Sequence, residues 1–145
     1  MAFAAVAYLV VRSEQQVEVA LIAGKSRIGP SKQRFTIPRM ELMGVLTGAR
    51  LAAKIVEDHS IKINERFFWC DNKPVLQWIR SGETWKLKQY TACRVMEIQQ
   101  LTKASEWRYV PSKSNFADDA ARWNGDPDLT SESRWFKGPD FLKFY

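Results

Sequence analysis

The chain has 145 residues, enough for one domain with its own hydrophobic core and too few for two of ordinary size. Hydrophobic residues make up 46% and charged residues 26%, which excludes a disordered, collagen-like or low-complexity chain. Lys and Arg total 22 against 16 Asp and Glu, and the net charge of +6 favours a polyanionic partner without reaching the level of a dedicated nucleic-acid binder. The 2 cysteines, Cys70 and Cys93, cannot build a disulfide framework, so a reducing compartment is expected. The longest apolar run, Ala2–Val11, is shorter than the roughly 20 residues a membrane span needs. It has neither a basic lead nor a small-residue cleavage site, so the expectation is an intracellular protein, nuclear or cytoplasmic, with no membrane partner.

Ala2–Val11 and Val17–Ala23, on either side of Ser13-Glu14-Gln15-Gln16, predict an antiparallel hairpin. Gly24–Thr36 reads as a basic loop. A long helix follows from Pro38, with apolar residues at 42, 45, 46, 49, 52, 53 and 56. Arg66–Trp69 reads as a buried strand closed by Cys70 and Asp71, and Asp71 or Asn72 caps a helix that Gly82 stops. Leu87–Thr102 suits another helix, with Tyr90, Cys93, Met96, Ile98 and Leu101 apolar along it. Trp107–Val110 is a strand that Pro111 ends, and Ser114 or Asn115 caps a short helix through Trp123. Residues 124–145 read as an irregular tail, pinned by Trp135, Phe136 and Phe141, behind a domain spanning 1–123. Strands first, then alternation with helices, give an α/β domain with a mixed sheet.

Three carboxylates occupy element ends. Glu41 lies in the first turn of the long helix and shares an apolar face with positions 45, 48 and 52. Asp71 closes a buried strand, where open α/β sheets place ligands, and Asp118, with Asp119 beside it, opens the helix after the last strand. Converging on one sheet rim, such acids would suit Mg²⁺ or Mn²⁺. Structural roles compete. Acids in a first turn complement the helix dipole, and Asp71 reads equally as an N-cap.

Lys25, Arg27, Lys32, Arg34 and Arg39 cluster before Glu41, and with Lys73, Arg80, Lys86 and Lys88 they form either a groove for a phosphate backbone or a solvated basic surface. Trp78 falls on a helix stripe and belongs to the core, whereas Trp85, in a polar loop, is the better candidate to stack on nucleic acid. His59 ends a helix, where a cation suits the dipole. Alternation turns Cys70 away from Asp71 into the core, and Cys93 fits a helix stripe.

Ile37-Pro38-Arg39-Met40-Glu41-Leu42, Phe68-Trp69-Cys70-Asp71-Asn72 and Val110-Pro111-Ser112-Lys113-Ser114-Asn115-Phe116-Ala117-Asp118 occur in this order. Together they resemble the ribonuclease H domain of Pao/Bel-class LTR retrotransposons, and the tail Arg134-Trp135-Phe136-Lys137-Gly138-Pro139-Asp140-Phe141-Leu142 resembles the segment that follows this domain there. The resemblance implies a five-stranded mixed sheet flanked by helices and metal-dependent cleavage of RNA in RNA–DNA hybrids, with two Mg²⁺ or Mn²⁺ ions clamping the scissile phosphate. It carries three of the four metal-binding acids onto Glu41, Asp71 and Asp118. It also implies hybrid contacts through phosphates and 2′-hydroxyls, for which Arg39, Asn72, Lys73, Arg80, Trp85 and Lys86 are the candidates.

The pattern breaks at the start. Met1–Leu9 matches the family's second strand, so the first strand, which lies centrally in the sheet and carries the fourth acid, is expected to be absent. Phe116 also stands where Pro is usual, and Asn72 where Ser is usual. Two roles are therefore expected. One is an RNase H-type endonuclease, inactive alone and complemented by an upstream segment. The other is a domesticated, catalytically silent module that accepts a strand from a protein partner at its open sheet edges or self-associates through them.

Overall fold

The alternating β-branched and aromatic residues of Ala2–Arg12 (β1) and Val17–Ile28 (β2) pair antiparallel, from Ala2 opposite Ile28 to Arg12 opposite Val17. Ser13 and Gln16 close the turn, the Ser13 N–H donating to the Gln16 carbonyl at 2.9 Å. The register slips between Ala7 and Tyr8, leaving Ile22 as the extra residue of a bulge. The computed structural model describes residues 2–29, 36–121 and 130–144. β2 is longer than expected: Lys25 and Arg27 are strand residues rather than loop, because pairing with Phe3 and Ala5 continues the ladder past Gly24. Lys32 and Arg34 lie outside the described residues.

Ile37–Asp58 (α1) carries Pro38 near its N-terminus, where a missing N–H costs nothing, and buries Met40, Leu42, Leu46, Thr47 and Ala49. Phe68–Cys70 (β3) pairs parallel with Trp107–Tyr109 (β4), from Phe68 opposite Trp107 to Cys70 opposite Tyr109. Between them run Lys73–Arg80 (α2) and Gln89–Leu101 (α3). Asp118–Ala121 (α4) and Arg134–Lys137 (α5) are single turns. The continuation of α4 to Trp123 and the boundary at 123/124 fall outside the described residues.

One core cluster gathers Leu42, Leu46, Phe68, Val75, Ile79 and Ile98 from α1, β3, α2 and α3. Trp107 joins it, its ring stacked on Phe68 at 4.7 Å and its indole N–H donating to Thr102 Oγ1 at 2.8 Å. As expected, Cys70 is a core residue and Trp78 packs against the cluster. Cys93 and Met96 are corrections: both are exposed, because α3 turns only the stripe through Val95 and Ile98 inward.

The architecture is the mixed α/β one expected, with its sheet in two separate halves. β1 pairs with β2 and β3 with β4, and among the described residues no strand joins β1 to β3. α1 packs on both halves, with Gly44 against Phe3 and Ala4 and Gly48 against Ala5. The tail covers the opposite face. Tyr8 donates its hydroxyl hydrogen bond to the Trp135 carbonyl at 2.5 Å, and Arg12 Nη1 donates to the Lys143 carbonyl at 2.7 Å. Phe141 meets Trp69 of β3 edge-on at 4.7 Å. The tail is thus more ordered than expected. Phe136 is exposed and does not pin it; Trp135 and Phe141 do.

A cleft rimmed by three carboxylates

The two sheet halves are separated by a cleft of about 880 Å³. One long wall is β1 from Ala2 to Arg12, and the other is Phe67–Asp71. Met40, Val45 and Ala52 of α1 form its floor, and Pro139, Phe141 and Leu142 of the tail form its roof. Glu41, Asp71 and Asp118 all line it, each half-buried.

The structure removes two of the competing explanations for these acids. α1 begins at Ile37 and has no acid in its first turn, which corrects the placement of Glu41: it stands just beyond the reach of a simple dipole role. The N-cap of α2 is Asn72, whose Oδ1 accepts from the Val75 N–H at 3.0 Å, so Asp71 does not serve as the cap. Asp118 does lie in the first turn of α4, where the dipole reading stands. Its neighbour Asp119 is held by Arg134, whose Nε donates to Oδ2 at 2.7 Å, and this ion pair accounts for Asp119.

Asp71 and Glu41 share a neighbourhood. Burial pushes the Cys70 thiol up to about 12; hydrogen bonding with the Asn72 backbone opposes this, and the Asp71 and Glu41 carboxylates reinforce it. A thiol so held is not a nucleophile at neutral pH. The donor set suits a hard divalent cation in being all oxygen. As arranged, however, no three Asp, Glu, His or Cys side chains among the described residues stand close enough to hold a common ion. The three acids rim one cleft without closing into a metal site.

The other candidates scatter. Arg80 Nη2 donates to the Trp107 carbonyl at 3.1 Å and, like Asn72, has a structural role. Lys73 stands 5.0 Å over the Tyr109 ring, and with Arg80 and Gln77 lines a shallow groove of about 370 Å³. Lys86 pairs with Glu83 at 2.9 Å and lies 5.2 Å over Trp85, which is 74% exposed. Arg39 stacks on Tyr90 at 4.3 Å, as does Arg94 at 3.8 Å. Tyr90 and Arg94 were missed as surface candidates, although their spacing of four on a helix is a contact signal. The role of Arg134 was also missed; its partner lies 15 residues away in the sequence, and nothing local announces it.

A family model described as Pao retrotransposon-like RNaseH-like domain matches residues 1–72, from the start of the hairpin to the residue after Asp71. Residues 1–72 of the chain are similar to this family. The matched segment contains β1, β2, α1 and β3, and with them the floor and both long walls of the cleft. No curated protein and no solved structure matches the chain. Among the described residues no helix is long and apolar enough to cross a membrane.

Proposed function

We propose that this RNase H-like module derives from an enzyme cleaving RNA in RNA–DNA hybrids, that Glu41, Asp71 and Asp118 are its retained ligands for Mg²⁺ or Mn²⁺, and that the chain alone does not turn over. The observation carrying this reading is the arrival of all three acids on one cleft from three separate elements, two of them without a capping or dipole role. Bound there, divalent metal would supply charge stabilisation at a scissile phosphate and an activated water. The chain's own contribution is a rim of oxygen donors at the end of β3 and near the start of α1. From separate parts of the surface, Arg39, Lys73 and Lys86 would meet phosphates and Trp85 would stack on a base or sugar.

The test is incubation with a labelled RNA–DNA hybrid in Mg²⁺ and in Mn²⁺, alongside Asp71→Asn. No cleavage by the folded chain is expected. Joining an Asp-bearing strand ahead of Ala2 should create metal-dependent cleavage that Asp71→Asn abolishes. If the joined protein folds and still leaves the hybrid intact, the nuclease reading fails.

A second reading, a silent module that binds protein, is favoured by the eleven-residue edge of β1 facing the cleft with no strand on it among the described residues.

A further inference from the structure

The outer face of α2 carries a second concave surface. Lys73, Gln77 and Arg80 are spaced four and three residues apart, so they project from one side of the helix, with Leu76 buried between them. Tyr109 of β4, 43% exposed, stands opposite, and these five residues line the groove of about 370 Å³. None of the five lines the carboxylate cleft. The volume is that of a small-molecule site.

Charge decides the sign of the ligand. Among the described residues, no carboxylate lies within ion-pair distance of Lys73 or Arg80. Arg80 is anchored, since its Nη2 donates to the Trp107 carbonyl at 3.1 Å, and its guanidinium has further N–H donors for another acceptor. An anchored guanidinium loses little freedom on binding an anion, and its planar fork suits phosphoryl oxygens. Lys73 and Arg80 are seven residues apart, about 10 Å along the helix, and the Gln77 amide stands between them.

The aromatic wall adds a second requirement. Lys73 Nζ lies 5.0 Å over the Tyr109 ring, so in the free protein the ammonium occupies the place where a planar group would stack. A ligand with both parts exchanges the two contacts: its ring takes the face of Tyr109, and the flexible Lys73 moves to its anionic group.

We propose that the groove of Lys73, Gln77, Arg80 and Tyr109 binds a phosphoryl group carried on a planar ring, as in a nucleoside monophosphate. Lys73 and Arg80 hold the phosphoryl oxygens, the Gln77 amide donates between them, and Tyr109 stacks on the ring. The site goes beyond the nuclease reading and stands whether or not the cleft cleaves a hybrid. A free nucleotide and one residue of a single strand offer the same chemistry, and the experiment separates them.

The intact chain, labelled with nitrogen-15, is titrated in EDTA with adenosine monophosphate, and separately with adenosine, inorganic phosphate and a short single-stranded oligoadenylate. Amide shifts locate the site and give the affinities. Adenosine monophosphate should shift Lys73–Ser81 and Arg108–Val110 and leave Ala2–Arg12 in place. It should bind about tenfold more tightly than adenosine or phosphate alone. Lys73→Gln and Tyr109→Leu, both at exposed positions, should each weaken it about tenfold, whereas Lys54→Gln, on α1, should bind as the parent does. Tighter binding of the oligonucleotide, lost in the same two variants, upholds the site and assigns it to a strand; tighter binding of the mononucleotide assigns it to the free nucleotide. Equal affinity for phosphate and the mononucleotide overturns the stacking role of Tyr109. Shifts along the cleft instead of the groove, or no shift at millimolar nucleotide, overturn the site.

Discussion

The two halves of the sheet are stabilised in different ways. β3 and β4 lie under α1, α2 and α3 in a closed core, with Leu42, Val75, Val95 and Ile98 at 0% exposure. In the β1–β2 hairpin only Phe3 and Ala5 are buried, and they keep 9% and 8% exposure. The rest of the hairpin is held by α1 on one face and by point contacts to the tail on the other: the Tyr8 hydroxyl, Trp135 beneath Gly24, and Gly138 against Val19. A closed core resists loss of one contact by cooperative packing, whereas a clasped hairpin opens locally when its clasp is removed. Because β1 is also a wall of the cleft, the less secured half is the one any occupant would stabilise.

The largest effect is expected in the closed core. Leu46 is 1% exposed at the centre of the cluster, and Leu46→Ala should cost about 3–5 kcal/mol through lost transfer energy and the cavity left behind. Urea denaturation should show the midpoint of the whole chain falling. A hairpin that unfolded at its original midpoint while the helices shifted would separate the two halves entirely.

Gly138 is the sharpest probe of the clasp. Its φ of +73° is accessible mainly to glycine, and an added Cβ would lie 3.0 Å from Val19 Cγ1 and 3.1 Å from the Tyr8 ring. Gly138→Ala should cost about 2 kcal/mol. Amide exchange should rise across Ala2–Ile28 and far less in α2 and α3.

Tyr8→Phe removes one clasp hydrogen bond, worth about 1 kcal/mol. It also tests a pH dependence. Burial pushes the Tyr8 hydroxyl up from 10.0 to about 12; the Asp119 carboxylate adds to this and Arg134 opposes it. The fold favours the neutral phenol, so this contribution is complete below pH 10 and is lost as pH rises towards 12. Hairpin protection in the parent protein should decline across that window, and the decline should be smaller in Tyr8→Phe.

The order of elements was legible in the sequence because each signal is local. Pro38 starts a helix, apolar spacing continues it, and Asn72 with Pro74 opens the next. Asp71 and Asp118 were legible as element ends, while Glu41 lies beyond the first turn of α1, and the gap in the sheet was expected from the resemblance the ordered motifs carry. What local pattern could not supply was long-range. The continuation of β2 past Gly24 depends on pairing with β1, since Lys25, Ser26 and Arg27 have little strand propensity of their own. The tail looked irregular because its order comes from partners more than 100 residues away, as in the hydrogen bonds from Tyr8 and Arg12. Cys93 and Met96 fit a helix period and still face solvent, because a period gives a stripe and only packing decides its width.

The smallest expected effect returns to the closed half. Arg66 reaches Glu106 with Nε and Nη2, each at 3.1 Å, and Nη2 also donates to the Leu101 carbonyl at 3.2 Å, tying the end of α3 to the approach of β3. Burial pushes the Glu106 carboxyl up, but the Lys103 N–H and the Arg66 guanidinium together outweigh it and hold the group below its usual 4.5. A depressed carboxyl stabilises the fold above the unfolded value and loses that contribution as pH falls through the folded one. Glu106→Gln should therefore cost about 1 kcal/mol at neutral pH, and the gap to the parent should close below pH 4.5. Since Glu106 ties α3 and β3 in the closed half, its loss should shift the global urea midpoint slightly and leave the exchange of the hairpin relative to the helices unchanged. A change confined to the hairpin would mean that the two halves are coupled across the cleft through Phe141 and Trp69, the contact by which the tail reaches from one to the other.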